Sequence, residues 1–251
     1  MAGFELSAGS LGLAREDLGL RTWRAVVAEF VATGLFVFIG AGTVVSITGA
    51  LGRVPSEDAG ALVGIALAHG LAIALLVAAT ANISGGHINP AVSLAAVITG
   101  RMKAATGLLY IVAQLLGGIV GALFIKAIMA DGIEGHLGAH SLNRAAVSGE
   151  GLGFLAEALF TFLLVLAVFA TAMDPKGRGY LAPMAIGFAV LVDHLIGVPL
   201  TGASMNPARS FGPSLVANFW DNHWIYWAGP LVGGSVAGLF YYFVYMYRRE
   251  E

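Results

Sequence analysis

The sequence predicts an all-α membrane protein of six transmembrane helices plus two re-entrant half-helices, arranged as an inverted repeat. Three observations carry this. Of the 251 residues, 58% are hydrophobic and only 11% charged, against about 25% charged in a soluble domain. Such a chain lacks the polar atoms to cover a water-facing surface. Long uncharged runs recur, each near the ~20 residues that cross a bilayer as a helix. Phrases of the first half also return in the second. A β-barrel would alternate apolar and polar residues in ~10-residue strands, and these runs do not. The 35 glycines follow no Gly-X-Y period, which excludes collagen.

In chain order, residues 1–21 are read as a cytosolic N-terminal tail. It carries Arg15, Glu16, Asp17 and Arg21 without a cleavage-site signature, so the first span is expected to act as the insertion signal. Residues 22–251 form one membrane domain. Its spans are Trp23–Ile47, Ala61–Ala81, Ala104–Met129, Leu152–Ala172, Leu181–Gly197 and Trp224–Tyr247. Two shorter apolar pieces remain, Pro90–Thr99 and Pro207–Ala217. About ten residues of helix reach ~15 Å, half of a ~30 Å bilayer core. Both pieces begin Asn-Pro, and proline in the first helical turn forfeits an N–H that has no helical partner anyway. They are read as half-helices that enter the membrane and turn back.

Orientation follows from the basic residues. With the N-terminus in the cytosol, inner segments hold Arg15, Arg21, Arg24, Arg101, Lys103, Lys176, Arg178, Arg248 and Arg249; outer segments hold only Arg53, Lys126 and Arg144. Both termini are therefore expected in the cytosol.

The repeats cover about 22–130 and 151–247. Asn89-Pro90-Ala91 returns as Asn206-Pro207-Ala208, "GGIVGALF" (Gly117–Phe124) as "GGSVAGLF" (Gly233–Phe240), and "AEFVATGLF" (Ala28–Phe36) is echoed by "AEALFTFLL" (Ala156–Leu164), aligning Glu29 with Glu157. Three spans per half make the second half insert upside down, and inverted repeats with broken helices place a site at the midplane. The half-helices would then meet N-terminus to N-terminus. Each contributes roughly +0.5 charge there, while Asn89 and Asn206 offer side-chain amides to one spot. The loops Ser84–Ile88 and Gly202–Met205 would expose carbonyls, since irregular backbone at this depth must line a cavity or be buried in protein. This combination donates hydrogen bonds to a water oxygen and repels cations, hydronium included.

Several residues carry chemistry outside the motifs. Arg209 follows Asn206-Pro207-Ala208 in a stretch where Asp193 is the sole Asp, Glu, Lys or Arg between Gly179 and Ala208. An arginine at membrane depth is a functional-site candidate. Glu29 and Glu157 lie inside spans and need partners; they are read as braces for the loops before Asn89 and Asn206. Asp193 is read as a headgroup-level residue, and Trp220, Trp224, Tyr226 and Trp227 as an interfacial belt. Gly117, Gly121, Gly234 and Gly238 are read as close helix packing. There is no cysteine, so disulfides, thiol catalysis and Cys-ligated metals are excluded. No basic patch for nucleic acid, no metal or cofactor motif, and no nucleophile–base–orienter set for an enzyme is present.

The paired Asn-Pro-Ala motifs at matching points of an inverted repeat resemble the aquaporins, over about Arg21 to Tyr247. The resemblance implies the aquaporin fold, passive water flow without protons or ions, and a homotetramer in which each subunit has its own pore. It also implies an outer constriction of four residues, here His69, His194, Ala203 and Arg209, with His87 and His140 as further pore residues. "ATAMDPKGRGYLAPMAIGF" and "NHWIYWAGPLVGG" look like plant tonoplast intrinsic proteins, as does His69. His194 resembles the plasma-membrane type, and the set His, His, Ala, Arg is similar to the hybrid intrinsic proteins of lower plants. The expected membrane is vacuolar or plasma membrane. Ser210, Tyr226 and Trp227 follow the water-channel pattern, whereas glycerol facilitators usually have Asp, Pro and an aliphatic residue there; Ser214 departs from the common Ala. The long gating loop of plasma-membrane aquaporins has no counterpart between Ala172 and Leu181. The alternatives are a wider neutral-solute channel, for ammonia, hydrogen peroxide or urea, and a coupled secondary transporter.

Overall fold

The computed structural model describes residues 18–246, so most of the N-terminal tail and the end of the last span at Tyr247 lie outside the described residues. Eight α-helices follow in order: α1 Leu20–Val45, α2 Ala59–Thr80, α3 Pro90–Ile98, α4 Ala104–Ile128, α5 Glu150–Val168, α6 Ala182–Gly197, α7 Pro207–Ala217 and α8 Ile225–Tyr241. Three of them run on as a π-helical turn: α1 through Ser46–Ala50, α5 through Phe169–Met173 and α8 through Tyr242–Met246. Six helices are long and apolar enough to cross a membrane. The two half-helices are the remaining pair.

Local chemistry sets the ends. Asp58 caps α2 by accepting the Ala61 N–H at 3.0 Å. Asn89 caps α3 through the Ala91 N–H at 2.8 Å, and Asn206 caps α7 through Ala208 N at 3.0 Å and Arg209 N at 3.3 Å. In both half-helices a proline occupies the first helical turn.

The packing reproduces the repeat. α1 lies along α4 as α5 lies along α8, and α2 meets α6 across the two halves. Each half-helix crosses to the other half's long helix, α7 onto α4 and α3 onto α8. Glycine permits the close crossings: a Cβ on Gly117 would stand 2.3 Å from the Phe30 carbonyl oxygen, and one on Gly233 2.0 Å from that of Ala158. In the first half Gly121 adds to the same seam. Its counterpart in the second half is Ala237, while Gly234 and Gly238 face Ala91 and Ala95 of α3 instead. So the four-residue glycine spacing of α8 serves a half-helix, not the long-helix seam.

Two expectations are corrected. Tyr226 is 0% exposed and packs at 5.0 Å from the His140 ring, so it leaves the aromatic belt to Trp220 and Trp224. Asp193 is buried with its Oδ2 bonded to no described residue, so it does not sit among headgroups.

Candidate functional site

The loop before each half-helix hangs on one buried glutamate. Glu29 on α1 accepts the Ser84 hydroxyl (2.6 Å), the backbone N–H of His87 (3.0 Å) and Ile88 (2.6 Å), and the Gln114 amide (2.7 Å). Glu157 on α5 accepts the Thr201 hydroxyl (2.6 Å) and the N–H groups of Ser204 (2.9 Å) and Met205 (2.8 Å). These bonds hold backbone that would not hold itself. Ile88 has φ 57° and Met205 φ 54°, the residues just before each asparagine, and Ala203 has φ 61°. Left-handed backbone costs roughly 1–2 kcal/mol per non-glycine residue, and a β-branched residue there is an outlier.

The left-handed turns aim carbonyls across the repeat axis. Asn89 Nδ2 donates to the Met205 carbonyl at 2.8 Å, and Asn206 Nδ2 donates to the Ile88 carbonyl at 2.9 Å. Each asparagine thus caps its own helix with its oxygen and ties down the opposite loop with its nitrogen. One N–H of each amide remains. The two loops are expected to expose carbonyls along a cavity, but not all of their carbonyls are free. Those of Ser84, Ile88 and Met205 instead accept from Tyr110, Asn206 and Asn89.

On the other side of the motifs, three of the four expected constriction residues converge. The His69 and His194 rings lie 4.1 Å apart between centroids, and Arg209 Nη2 approaches His69 Nε2 at 3.4 Å. Arg209 Nη1 donates to the Gly138 carbonyl at 2.6 Å. Carbonyl oxygens only accept, so the Nδ1 contacts of His69 to Ile65 (2.9 Å) and of His194 to Val190 (2.8 Å) put hydrogen on Nδ1. His69 Nε2 then accepts from Arg209, and His194 Nε2 is left as an acceptor with no partner among the described residues. Arg209 Nε, a donor, is likewise unpartnered and buried. Ala203 is placed differently: it is buried beside Gly197 and Phe160 and lines none of the three cavities described next.

Those cavities lie in series. An outer vestibule of about 200 Å³ is bordered by Gly138, His140 and Arg209. A central passage of about 20 Å³ runs past His194, Asn206, Asn89 and His87, with Val92, Leu164 and Val190 as its apolar wall. An inner vestibule of about 360 Å³ shares His87 and Gly86 with that passage and opens by Arg101. One water needs about 10–15 Å³ of such room, so the centre holds one or two waters at a time.

His140, in the segment between α4 and α5, lies buried over the outer mouth, with Nδ1 2.8 Å from Ser210 Oγ. Burial first, and the Arg209 charge second, hold its imidazole well below the usual range. His87 Nδ1 lies 3.1 Å from Ser93 Oγ, beside Gln114. Among the described residues, no group of three or more His, Asp or Glu gathers as a metal site.

Sequence reasoning missed the supports. Gly40 faces His69: a Cβ there would stand 2.5 Å from Nε2. Phe36 packs edge-on to the same ring at 5.8 Å. Gly138 supplies the arginine's anchor and Gln114 a fourth bond to Glu29. Only Gln114, a polar residue in the middle of the uncharged run that precedes Lys126 in α4, left a readable signal.

Comparison with known proteins accords with this geometry. The Major intrinsic protein family model matches residues 18–241. The chain is 44% identical to Aquaporin TIP4-4 of Zea mays, covering 92% of this chain and 90% of that protein. It is 43% identical to Probable aquaporin TIP2-2 of Oryza sativa subsp. japonica (95% and 94%) and 42% identical to Aquaporin TIP2-1 of Arabidopsis thaliana (94% and 93%). The X-ray structure of the aquaglyceroporin from Plasmodium falciparum superposes with a TM-score of 0.78 at 23% identity, covering 89% of this chain and 96% of that one, a likeness of fold. A family match across nearly the whole chain, on a fold with two capped half-helices meeting at their N-termini, makes this chain a member of the major intrinsic protein family.

Proposed function

We propose that the chain is a passive water channel whose path runs through the three cavities in series. The observation that carries this is the central passage of about 20 Å³ beside both motif asparagines, room for one or two water molecules. The relatives' names support it, since all three are called aquaporins. In this reading Asn89, Pro90, Ala91, Asn206, Pro207 and Ala208 form the centre. Their remaining amide N–H groups and the two half-helix N-termini orient water so that it cannot accept a proton from its neighbour. Arg209, His69 and His194 form the outer filter: the guanidinium donates and repels cations, and His194 Nε2 accepts. Ala203, buried beside Gly197 and lining none of the three cavities, is left out of the filter, and His140 and His87 border the two ends.

Residues 22–251 act as one channel domain, with termini in the cytosol and the chain in a vacuolar or plasma membrane. It assembles as a homotetramer with one pore per subunit. No catalytic residue, metal or cofactor is part of the proposal. A wider solute range is the second reading, favoured by His69 in place of a bulkier filter side chain.

Stopped-flow light scattering on proteoliposomes tests both readings. Wild type should pass water and exclude glycerol. Arg209→Val and His69→Ala should raise urea or ammonia permeability relative to water, with water flux largely kept. Unchanged ratios in both variants would remove these residues from the filter. Equal water and urea conductance in wild type would favour the second reading.

A further inference from the structure

Away from the proposed path, a groove of about 970 Å³ lies between the start of α1 and the end of α2, on the side of the membrane that holds the start of α1. We propose that it binds an anionic glycerophospholipid of that leaflet. Arg21, Trp23 and Arg24 line its rim and Val27 and Val31 continue it toward the bilayer centre, with Asn82 on the opposite wall. Arg21 and Arg24 sit three residues apart on one helix, so their guanidinium groups rise on the same side. No acidic residue lines the groove, and neither arginine is ion-paired to a described residue. Both are exposed.

The occupant follows from this chemistry. Two exposed guanidiniums at headgroup level, unpaired among the described residues, are matched by a phosphodiester, which guanidinium grips through paired N–H···O bonds. Below them, Val27 and Val31 are 58% and 48% exposed, an apolar slot at acyl-chain depth. An indole at the boundary, Trp23, is 50% exposed, with its amphipathic ring placed as interfacial tryptophans are. A volume near 970 Å³ is at the upper end of small-molecule sites, ~300–1,000 Å³. A basic recess between spanning helices is a recognised headgroup site. A zwitterionic lipid would bring its own cation against the two arginines.

Trp23 makes the test direct, because the other three tryptophans are Trp220, Trp224 and Trp227, near the opposite ends of the spans. The full chain is reconstituted in phosphatidylcholine bilayers containing brominated-chain phosphatidylglycerol or brominated-chain phosphatidylcholine. The Trp23 signal is the difference between wild type and Trp23→Phe. Brominated phosphatidylglycerol should quench it in excess of phosphatidylcholine. R21Q/R24Q should lower the phosphatidylglycerol preference by roughly 30-fold, the factor equal to about 1 kcal/mol per arginine. R21K/R24K should keep most of it, and K176Q/R178Q, basic residues outside the groove, should leave it within about twofold. Equal quenching by the two lipids in wild type overturns the proposal. So does an equal loss of preference in K176Q/R178Q, which marks a general surface-charge effect. A Trp23 signal that neither lipid quenches also overturns it, because the groove is then covered by residues 1–17 or by a second copy.

Discussion

Glu157→Gln should unfasten the loop before α7. Glu157 Oε1 accepts from Thr201 Oγ and Ser204 N, and Oε2 accepts from Met205 N. A glutamine can keep its oxygen toward Thr201 and Ser204, but its NH₂ then faces the Met205 N–H. Stranding one buried N–H costs about 1–3 kcal/mol, and the two remaining bonds weaken by about 0.5 kcal/mol each as the acceptor loses its carboxyl character. The sum is about 3 kcal/mol. In a chain of this size that corresponds to a melting point lower by roughly 6–12 °C. There is a functional consequence too. Met205 at φ 54° is held left-handed only by its surroundings, and its carbonyl receives the Asn89 amide. Relaxation of that residue pulls the two half-helix caps apart, so water flux should fall several-fold. Intrinsic-fluorescence melting of the purified protein reads the first effect and stopped-flow light scattering the second. A melting shift under about 2 °C with wild-type flux would refute the view that Glu157 holds this loop. Glu29→Gln should move both readouts in the same direction, softened because Gln114 can turn its amide oxygen toward the new NH₂.

Gly40→Ala should push the His69 ring, since the new Cβ would stand 2.5 Å from Nε2; a clear drop in stopped-flow water flux is expected, and normal flux would show that the ring has room to yield. Gly233→Ala should destabilise strongly because its Cβ would meet the Ala158 carbonyl oxygen at 2.0 Å, whereas Gly151→Ala, with nothing within 4 Å, should be neutral or gain up to ~1 kcal/mol of helix propensity. Melting of the two variants side by side checks that order. Burial and Arg209 depress the His140 pKa, and burial also depresses that of His223. The unfolded chain therefore binds these protons first, so stability should fall as pH drops below ~6.5, by at most about 1.4 kcal/mol per pH unit for each group. A melting-point profile between pH 8 and 5 should flatten in His140→Gln, and an unchanged slope would exclude His140 as its source.

Much of the architecture was already determined by the sequence, because the signals that encode it are local. Span positions follow from the length of apolar runs. The half-helices follow from Asn-Pro at the head of pieces too short to cross, and the inverted arrangement follows from three spans lying between matching motifs. Even the need for Glu29 and Glu157 to find partners could be read, since a carboxyl group inside an apolar run has no other fate. The tertiary structure alone decided how those needs were met. That Ile88 and Met205 adopt left-handed backbone is invisible in their side chains, which favour the opposite. They do so because Glu29 and Glu157, far away in sequence, capture their N–H groups, and because each carbonyl is claimed by an asparagine of the other half. Likewise His69 depends on the missing side chain of Gly40, and Arg209 on the carbonyl of Gly138. Tyr226 and Asp193 were misplaced for the same reason. A polar side chain on a membrane helix shows that it must be hidden or wetted, but only the packing of distant segments determines which.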